Sequence, residues 1–310
     1  MSIFKNILVA FDYSDSAIQA LKTAFDLAKR NQGKVNVVHV LSEDVANAFV
    51  IPITKEYIED IQKSLNDAVN KHLLPDYKDG LGSISVLHGA PGLAIAEAAE
   101  KQNCDLIVMG SHSRNAIEEA FLGSVAKQSI RHATTPVWVV KQEARRQFKK
   151  ILVPIDESPE SEQIIPLALK LSGQLNAVVQ LVNVVDVTDF SYYIEFNQIL
   201  DKAKQKTQKR LQELKEKHGI PTEPLILDGK ASDAIIHVIQ KDKDIGLVAM
   251  TTHGRSGLKR FFMGSVTESV AQHVPCSILT THLEEHKAAV KEAVQKDIKE
   301  FKDQLASVKM

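Results

Sequence analysis

Two nine-residue stretches decide the fold of this chain: Asn6-Ile7-Leu8-Val9-Ala10-Phe11-Asp12-Tyr13-Ser14, and Lys150-Ile151-Leu152-Val153-Pro154-Ile155-Asp156-Glu157-Ser158. Each is an apolar run that ends in an aspartate and a serine, and the two aspartates lie 144 positions apart. A continuous apolar run is typical of a strand that is buried on both faces of a parallel sheet. Its recurrence predicts that one domain occurs twice in the chain.

Two further blocks repeat in the same order. Val108-Met109-Gly110-Ser111-His112-Ser113-Arg114 parallels Ala249-Met250-Thr251-Thr252-His253-Gly254-Arg255, now 141 positions later. The same offset relates Phe121-Leu122-Gly123-Ser124-Val125 to Phe262-Met263-Gly264-Ser265-Val266. A polar, basic segment separates the copies and is typical of a linker. We therefore predict a first domain at 1–143, a linker at 144–149, a second domain at 150–283 and a C-terminal helix at 284–310.

Each half alternates short β-branched runs with longer helical patterns, which indicates right-handed crossovers and a parallel sheet. The predicted strands are 7–11, 35–40, 84–87, 106–109 and 137–140, then 151–155, 177–184, 225–227, 246–250 and 277–280. The predicted fold class is α/β: two tandem flavodoxin/Rossmann-like open five-stranded parallel sheets with helices on both faces, plus the C-terminal helix.

Composition excludes several classes of protein. The 310 residues carry 38 Lys+Arg against 39 Asp+Glu, and only 5% are aromatic, which argues against a nucleic-acid surface. No apolar stretch approaches the ~18 residues of a membrane span, and no signal peptide is visible. The two cysteines suit a reducing compartment. We therefore expect a cytoplasmic protein that binds neither nucleic acid nor membrane.

The ends of the first and fourth strands predict a ligand site. Ligands of open parallel sheets bind beyond the carboxyl ends of the strands, where the strand order reverses. Asp12 and Asp156 follow the first strands, and Gly110 and Thr251 follow the fourth strands. If these strands are neighbours, the four positions share a crevice in pairs. The alternative is that each aspartate caps the helix that follows it.

The start of the last helix in each half resembles an anion cradle. Gly123-Ser124 and Gly264-Ser265 stand where free N–H groups and the helix dipole suit a phosphate. Arg114 and Arg255 precede them. The alternative is an ordinary serine N-cap beside a turn glycine.

Taken together, these blocks resemble the universal stress protein family, as a tandem of two UspA-type domains over about residues 3–282. The family motif runs Gly, two residues, Gly, nine residues, then Gly followed by Ser or Thr. The resemblance implies that, in the ATP-binding branch, adenine nucleotide lies between strands one and four. It also implies that fifth strands pair antiparallel, here 137–140 with 277–280 or with another protein chain.

The resemblance implies ATP, or another adenine nucleotide, with or without Mg²⁺, as the cofactor. The second-half residues implied to hold adenosine are Pro154, Ile155, Asp156, Val184 and Met250. Those implied to hold phosphates are Thr251, Gly254, Arg255, Gly264, Ser265 and Val266. The first-half set is Asp12, Val40, Met109, Gly110, Arg114, Gly123, Ser124 and Val125. Ser113 and Thr251 replace motif glycines, and we rank the second half first.

These features favour a nucleotide-binding regulatory protein, not an enzyme, that acts through assembly or a partner. A slow ATP hydrolase and a scaffold with degenerate sites are the alternatives. The tail repeats apolar residues at coiled-coil spacing, which predicts either a helix for dimerisation or partner binding, or one docked on its own domains. His112 and His253 are either general bases or solvated loop residues. His282 and His286 form a metal pair or a surface pair, and Cys104 and Cys276 are predicted to be buried.

Overall fold

The computed structural model describes residues 4–42, 54–73, 75–111, 122–141, 148–156, 158–186, 196–252 and 263–282. Contacts divide the chain into two compact units. Of the residues described, the first unit holds 4–141 together with 281–282, and the second holds 148–280. The predicted tail helix and most of the predicted linker lie outside the described residues, so the domain limits stay predictions.

The first unit is an open parallel sheet in the order β3-β2-β1-β4-β5. Its strands are β1 (Asn6–Ala10), β2 (Lys34–Leu41), β3 (Leu81–His88), β4 (Leu106–Gly110) and β5 (Val137–Val140). Its helices are α1 (Asp15–Asn31), α2 (Lys55–His72), α3 (Pro91–Lys101) and α4 (Ser124–His132), with a 3-10 turn at Pro75–Gly80. Right-handed crossovers place α1 and α2 on one face and α3 and α4 on the other.

The second unit has the same strand order, β10-β9-β6-β7-β8. Its strands are β6 (Lys150–Pro154), β7 (Val178–Val185), β8 (Leu225–Asp228), β9 (Ile245–Thr251) and β10 (Ser277–Thr281). Its helices are α5 (Ile165–Leu175), α6 (Phe196–His218), α7 (Ala231–Lys241) and α8 (Ser265–His273). The predicted fold class is therefore confirmed for both copies.

The central strands form the core of each unit because helices cover both faces of the sheet. In the first unit, Ile7, Leu8 and Val9 of β1 have no exposed surface. In the second unit, the β6 run 151–153 is equally buried. The continuous apolar runs that predicted doubly buried strands therefore do form the middle of each sheet.

Strands one and four are neighbours in both units, as the predicted crevice requires. In the first unit β1 pairs with β4 from Ile7↔Leu106 to Ala10↔Met109. In the second unit β6 pairs with β9, with Leu152 opposite Val248. The chain passes from the first strand to one side of the sheet and returns on the other. The carboxyl ends of these two strands therefore flank the point where strand order reverses.

The third strand begins earlier than predicted. It was expected at 84–87, but β3 starts at Leu81. The side chain of Asn36 in β2 accepts hydrogen bonds from the backbone N–H and the hydroxyl of Ser83, each at 3.0 Å. This side-chain contact extends the pairing through a Gly-Ser segment that has the composition of a turn.

The second unit departs from the repeat where its first helix begins. A 3-10 turn at Glu160–Ile164 precedes α5, whereas α1 begins directly at Asp15. Pro166 explains this break because proline has no N–H to donate to the carbonyl four residues earlier. Among the residues described, no helix is both long and apolar enough to cross a membrane.

Candidate functional site

The aspartate after the first strand organises the loop that follows it. Asp12 Oδ1 accepts hydrogen bonds from the N–H of Ser14, at 3.1 Å, and from its hydroxyl, at 2.5 Å. Ser14 in turn caps α1 by accepting from Ala17 N at 3.1 Å. Asp156 and Ser158 repeat this arrangement in the second unit. The alternative that the aspartates cap the helices is therefore wrong, because the serines do so.

A side chain from the second strand holds the end of the first strand in each unit. His39 Nδ1 lies 2.7 Å from the carbonyl O of Phe11, and Asn183 Nδ2 donates to the carbonyl O of Ile155 at 2.6 Å. Our sequence reasoning missed both residues as site components. Their separation of 144 positions, the same as that of the two aspartates, is the signal that could have found them.

The last helix of each unit begins at a glycine cap that provides no side-chain acceptor. Gly123 and Gly264 are the N-caps of α4 and α8, and neither helix has a side-chain capping hydrogen bond. The first intrahelical bonds run from Lys127 N to Gly123 O, at 3.0 Å, and from Glu268 N to Gly264 O, at 2.9 Å. The N–H groups of residues 124–126 and 265–267 precede those bonds. The serine N-cap alternative is therefore wrong.

The same glycines tie the helix starts to the ends of the fourth strands. Gly123 N donates to the carbonyl O of Ser111 at 2.7 Å, and Gly264 N donates to that of Thr252, also at 2.7 Å. These paired bonds bring the free N–H groups of each helix to the edge where the first and fourth strands end. Backbone N–H groups at a helix start, reinforced by the helix dipole, are suited to an anion.

Gly110 has a packing role that the sequence did not reveal. A Cβ at this position would lie 2.4 Å from Ser16 Oγ and 2.8 Å from Ala17 N. The glycine is therefore required for the close approach of α1 to the end of β4, which corrects our assignment of it to phosphate approach alone. Thr251 takes the corresponding place in the second unit, where a 3-10 turn precedes the helix. Its carbonyl O accepts from the Thr267 hydroxyl at 3.0 Å.

Each unit has one cleft at this edge that gathers the predicted residues. The first cleft, of about 190 Å³, lies against seven of them: Asp12, Val40, Met109, Gly110, Gly123, Ser124 and Val125. The second cleft, of about 280 Å³, lies against nine: Pro154, Ile155, Asp156, Val184, Met250, Thr251, Gly264, Ser265 and Val266. Arg114, Gly254 and Arg255 lie outside the described residues, as do His112, Ser113 and His253.

Several cleft residues were not predicted. Pro91 and Ile95 from α3 give the first cleft an apolar wall, and Ala231 and Ile235 from α7 do so in the second. The second cleft also has Asp186, at the end of β7, and the hydroxyl residues Ser161 and Thr267. Helices α3 and α7 are adjacent in space to α4 and α8, so their contribution depends on tertiary packing that no local motif encodes.

An aromatic cluster flanks the first cleft. The Tyr13 ring lies 5.3 Å from that of Phe11 and 5.1 Å from that of His39, measured between ring centroids. Tyr13 has a left-handed backbone (φ 64°), and its buried hydroxyl has no hydrogen-bond partner among the described residues. Burial raises the pKa of Tyr13 above its ordinary value. Packing with Phe11 and His39 holds this unusual loop conformation beside Asp12.

The remaining candidates do not form a second reactive centre. Cys104 and Cys276 are buried, as predicted, and burial with neighbouring Asp105 raises the pKa of the Cys104 thiol to about 12. His282 is also buried, and its Nε2 lies 2.8 Å from the carbonyl O of Ile130, so the surface-pair expectation is wrong for it. His286 lies outside the described residues. Within the part of the chain that the structure describes, no three His, Cys, Asp or Glu side chains are grouped to hold a metal.

Fold and site together define a class: an α/β protein in which one open parallel sheet occurs twice, each copy with a cleft at its strand reversal. The model of the universal stress protein family matches residues 3–141 and again 147–282. The chain belongs to the universal stress protein family, in its tandem form.

Known proteins resemble the chain both as a whole and by halves. Universal stress protein E of Escherichia coli K12 is 22% identical over 94% of this chain and 98% of its own length. Universal stress protein MJ0531 of Methanocaldococcus jannaschii is 32% identical over 46% of this chain and 84% of its own. A universal stress protein structure from Archaeoglobus fulgidus superposes with a TM-score of 0.66 at 19% identity, covering 90% of this chain and 96% of its own.

Proposed function

We propose that the chain is an ATP-binding regulatory protein that takes adenine nucleotide in the cleft at the strand reversal and responds through assembly or a partner. The observation that carries this proposal is the pairing of two features across one cleft. One is a helix start with a glycine cap and no side-chain acceptor, and the other is an ordered aspartate at the end of the neighbouring first strand. The arrangement occurs twice in the chain.

The missing acceptor is the physical argument for a phosphate ligand. Backbone N–H groups at a helix start need an acceptor from a side chain, water or a ligand. Neither Gly123 nor Gly264 can supply one from a side chain. A phosphate would satisfy these donors and interact favourably with the helix dipole. We therefore assign Gly264, Ser265 and Val266 to phosphates, with Gly123, Ser124 and Val125 as the first-unit set.

The other end of each cleft suits a nucleoside. In the second cleft, Ile155, Val184 and Met250 supply apolar surface beside the Asp156 carboxylate. This is the pattern of a small-molecule pocket that has apolar walls and a few placed polar groups. We assign adenosine to these residues together with Pro154. The second cleft ranks first because it is the larger of the two, which adds to the more complete motif of this half.

Mg²⁺ fits the proposal as a companion of the nucleotide. This ion commonly binds through substrate phosphates with one or two carboxylates. Asp156 and Asp186 both line the second cleft, and these two carboxylates are the candidates there. Bound Mg²⁺ would neutralise phosphate charge, and the helix start would orient the same phosphate oxygens.

Titration calorimetry on protein that has been stripped of co-purified nucleotide tests the proposal. ATP should bind more tightly than adenosine by about 2-fold to 30-fold, the range expected for an anion at a helix start. Equal affinities, or no ATP binding, would contradict it. Light scattering with and without ATP then tests whether binding changes the assembly state.

A phosphate-release assay separates this function from slow ATP hydrolysis. We expect the wild-type protein to release no more phosphate from ATP than the Ser265→Glu protein, in which a carboxylate occupies the proposed phosphate site. Release that disappears in the variant would instead assign hydrolysis to the second cleft.

A further inference from the structure

The second unit has another cavity beside the proposed nucleotide cleft. This side cavity, of about 240 Å³, is lined by Lys206, Thr207, Arg210 and Leu211 of α6 and by Ile155, Asp156 and Asn183. The last three residues also line the second cleft, so the two spaces share one wall. The side cavity lies away from the start of α8, because none of its residues comes from that helix.

Positive charge exceeds negative charge on the α6 side of this cavity. Arg210 forms an ion pair with Oε1 of Glu162, and Lys217 Nζ lies 3.9 Å from Oε2 of the same carboxylate. One carboxylate is therefore shared by two cations. Lys206 adds a third cation at the exposed rim. The pair with Glu162 also fixes the guanidinium against the turn that follows Asp156.

Arg210 retains hydrogen-bonding capacity. Its guanidinium has five N–H donors. Within the described part of the chain, Arg210 makes one hydrogen bond, to Glu162, and its buried Nε has no partner. Thr207 places a further polar side chain in the wall, at 6% exposure. A ligand that accepts several hydrogen bonds and carries negative charge would match these groups.

Asp156 is the one carboxylate in the wall, and its geometry limits its repulsion of an anion. Its Oδ1 accepts two hydrogen bonds from Ser158, through the backbone N–H and the hydroxyl. These donors offset part of its charge and hold that oxygen toward its own loop. The cations of α6 occupy the opposite wall of the cavity.

We propose that the side cavity binds a compact oxyanion, a phosphate or carboxylate group of a small metabolite, as a site distinct from the helix-start cradle. Arg210 would give charge-assisted hydrogen bonds, with Lys206 and Thr207 as supporting groups. Because the cavity shares Asp156 and Asn183 with the second cleft, its occupant contacts the same loop as the proposed nucleotide.

The test uses the full chain carrying Ser124→Glu and Ser265→Glu, which removes anion binding at both helix starts. Inorganic phosphate and malonate are titrated separately by calorimetry at constant ionic strength, with chloride as the reference anion. Saturable binding of phosphate assigns a phosphate-bearing ligand, and saturable binding of malonate alone assigns a carboxylate. Because the cradles are disabled, failure of the nucleotide proposal would leave this result unaffected.

Two substitutions with opposite effects separate a ligand site from a structural ion pair. Arg210→Gln should weaken the bound oxyanion by about tenfold or more. Glu162→Gln should strengthen it, because Arg210 loses its competing carboxylate. A purely structural pair predicts that both variants lower stability and that neither changes anion affinity.

Lys206→Gln and Lys209→Gln keep the test decisive if Arg210→Gln does not fold. Both residues are exposed on α6, but only Lys206 lines the side cavity. Lys206→Gln should weaken binding and Lys209→Gln should not. Equal effects of these two variants, or no saturable binding beyond chloride, would overturn the proposal.

Discussion

Ser14 and Ser158 each link a strand end, a carboxylate and the turn that follows. Ser14 Oγ donates to Asp12 and accepts from Ala17 N, and Ser158 Oγ does the same with Asp156 and Ser161 N. The hydroxyl therefore fixes the carboxylate and caps the turn in one contact. At this scale the two copies are equivalent.

The first prediction concerns these two serines. Ser14→Ala and Ser158→Ala should each lower the free energy of unfolding by about 1 kcal/mol, because an N-cap acceptor is lost. Urea unfolding followed by circular dichroism measures the change. Ser64→Ala, on the exposed side of α2, is the control and should change little. Unchanged stability in both cap variants would show that the hydroxyl contacts are not formed in solution.

At the scale of elements, the decisive feature is the approach of α1 to the end of β4. The Gly110 backbone lies against the first turn of that helix, where a side chain would meet Ser16 and Ala17. The second unit accommodates Thr251 at the corresponding place, with a 3-10 turn before α5. The two clefts thus have different walls although their strand order is the same.

The second prediction tests that close approach. Gly110→Ala should destabilise the protein by about 1–3 kcal/mol, because the added Cβ overpacks the contact between strand and helix. Gly173→Ala is the matched control: nothing lies within 4 Å of its Cβ position, and the substitution should stabilise α5 by about 0.5–1 kcal/mol. Thermal unfolding of both variants measures the effects. Tolerance of Gly110→Ala would contradict the packing role.

Local signals explain why some elements were predictable and others were not. α4 and β5 occur where they were predicted, since a glycine cap and a β-branched run mark them in the sequence. The early start of β3 depends on Asn36, a residue 47 positions away from Ser83. The roles of His39 and Asn183 likewise depend on contacts with distant backbone. Such long-range contacts leave no local pattern.

At the scale of the whole molecule, the chain contains one architecture twice, with sites that have diverged. The first cleft adjoins the Phe11, Tyr13 and His39 rings, whereas the second has Asp186 and hydroxyl groups and adjoins the side cavity. Because the strand order is the same, the divergence comes from side chains and helix starts. We therefore expect the two clefts to differ in affinity for one nucleotide.

The third prediction concerns the pH dependence of global stability. The pKa of the Cys104 thiol is raised to about 12, chiefly by burial and then by Asp105, from an ordinary value near 9.0. The folded state therefore holds this proton more tightly than the unfolded state. Its stabilising contribution is complete below pH 9 and is lost between about pH 9 and 12.

Urea midpoints at pH 8 and pH 10.5 measure this loss. The wild-type midpoint should fall more between the two values than that of Cys104→Ala, which has no thiol to ionise. Tyr13, whose pKa burial also raises, contributes equally to both proteins and cancels in the comparison. Identical falls in the two proteins would contradict a buried, neutral Cys104.

The measurement that tests the central claim most directly is ATP titration of Ser124→Glu and Ser265→Glu beside wild type. Glutamate in the first turn favours each helix by about 0.3–1 kcal/mol, so folding is preserved while the new carboxylate repels phosphate. We predict that Ser265→Glu abolishes the tighter ATP binding, that Ser124→Glu retains it, and that adenosine binding changes little in either. ATP affinity that is unchanged in both variants would contradict the account.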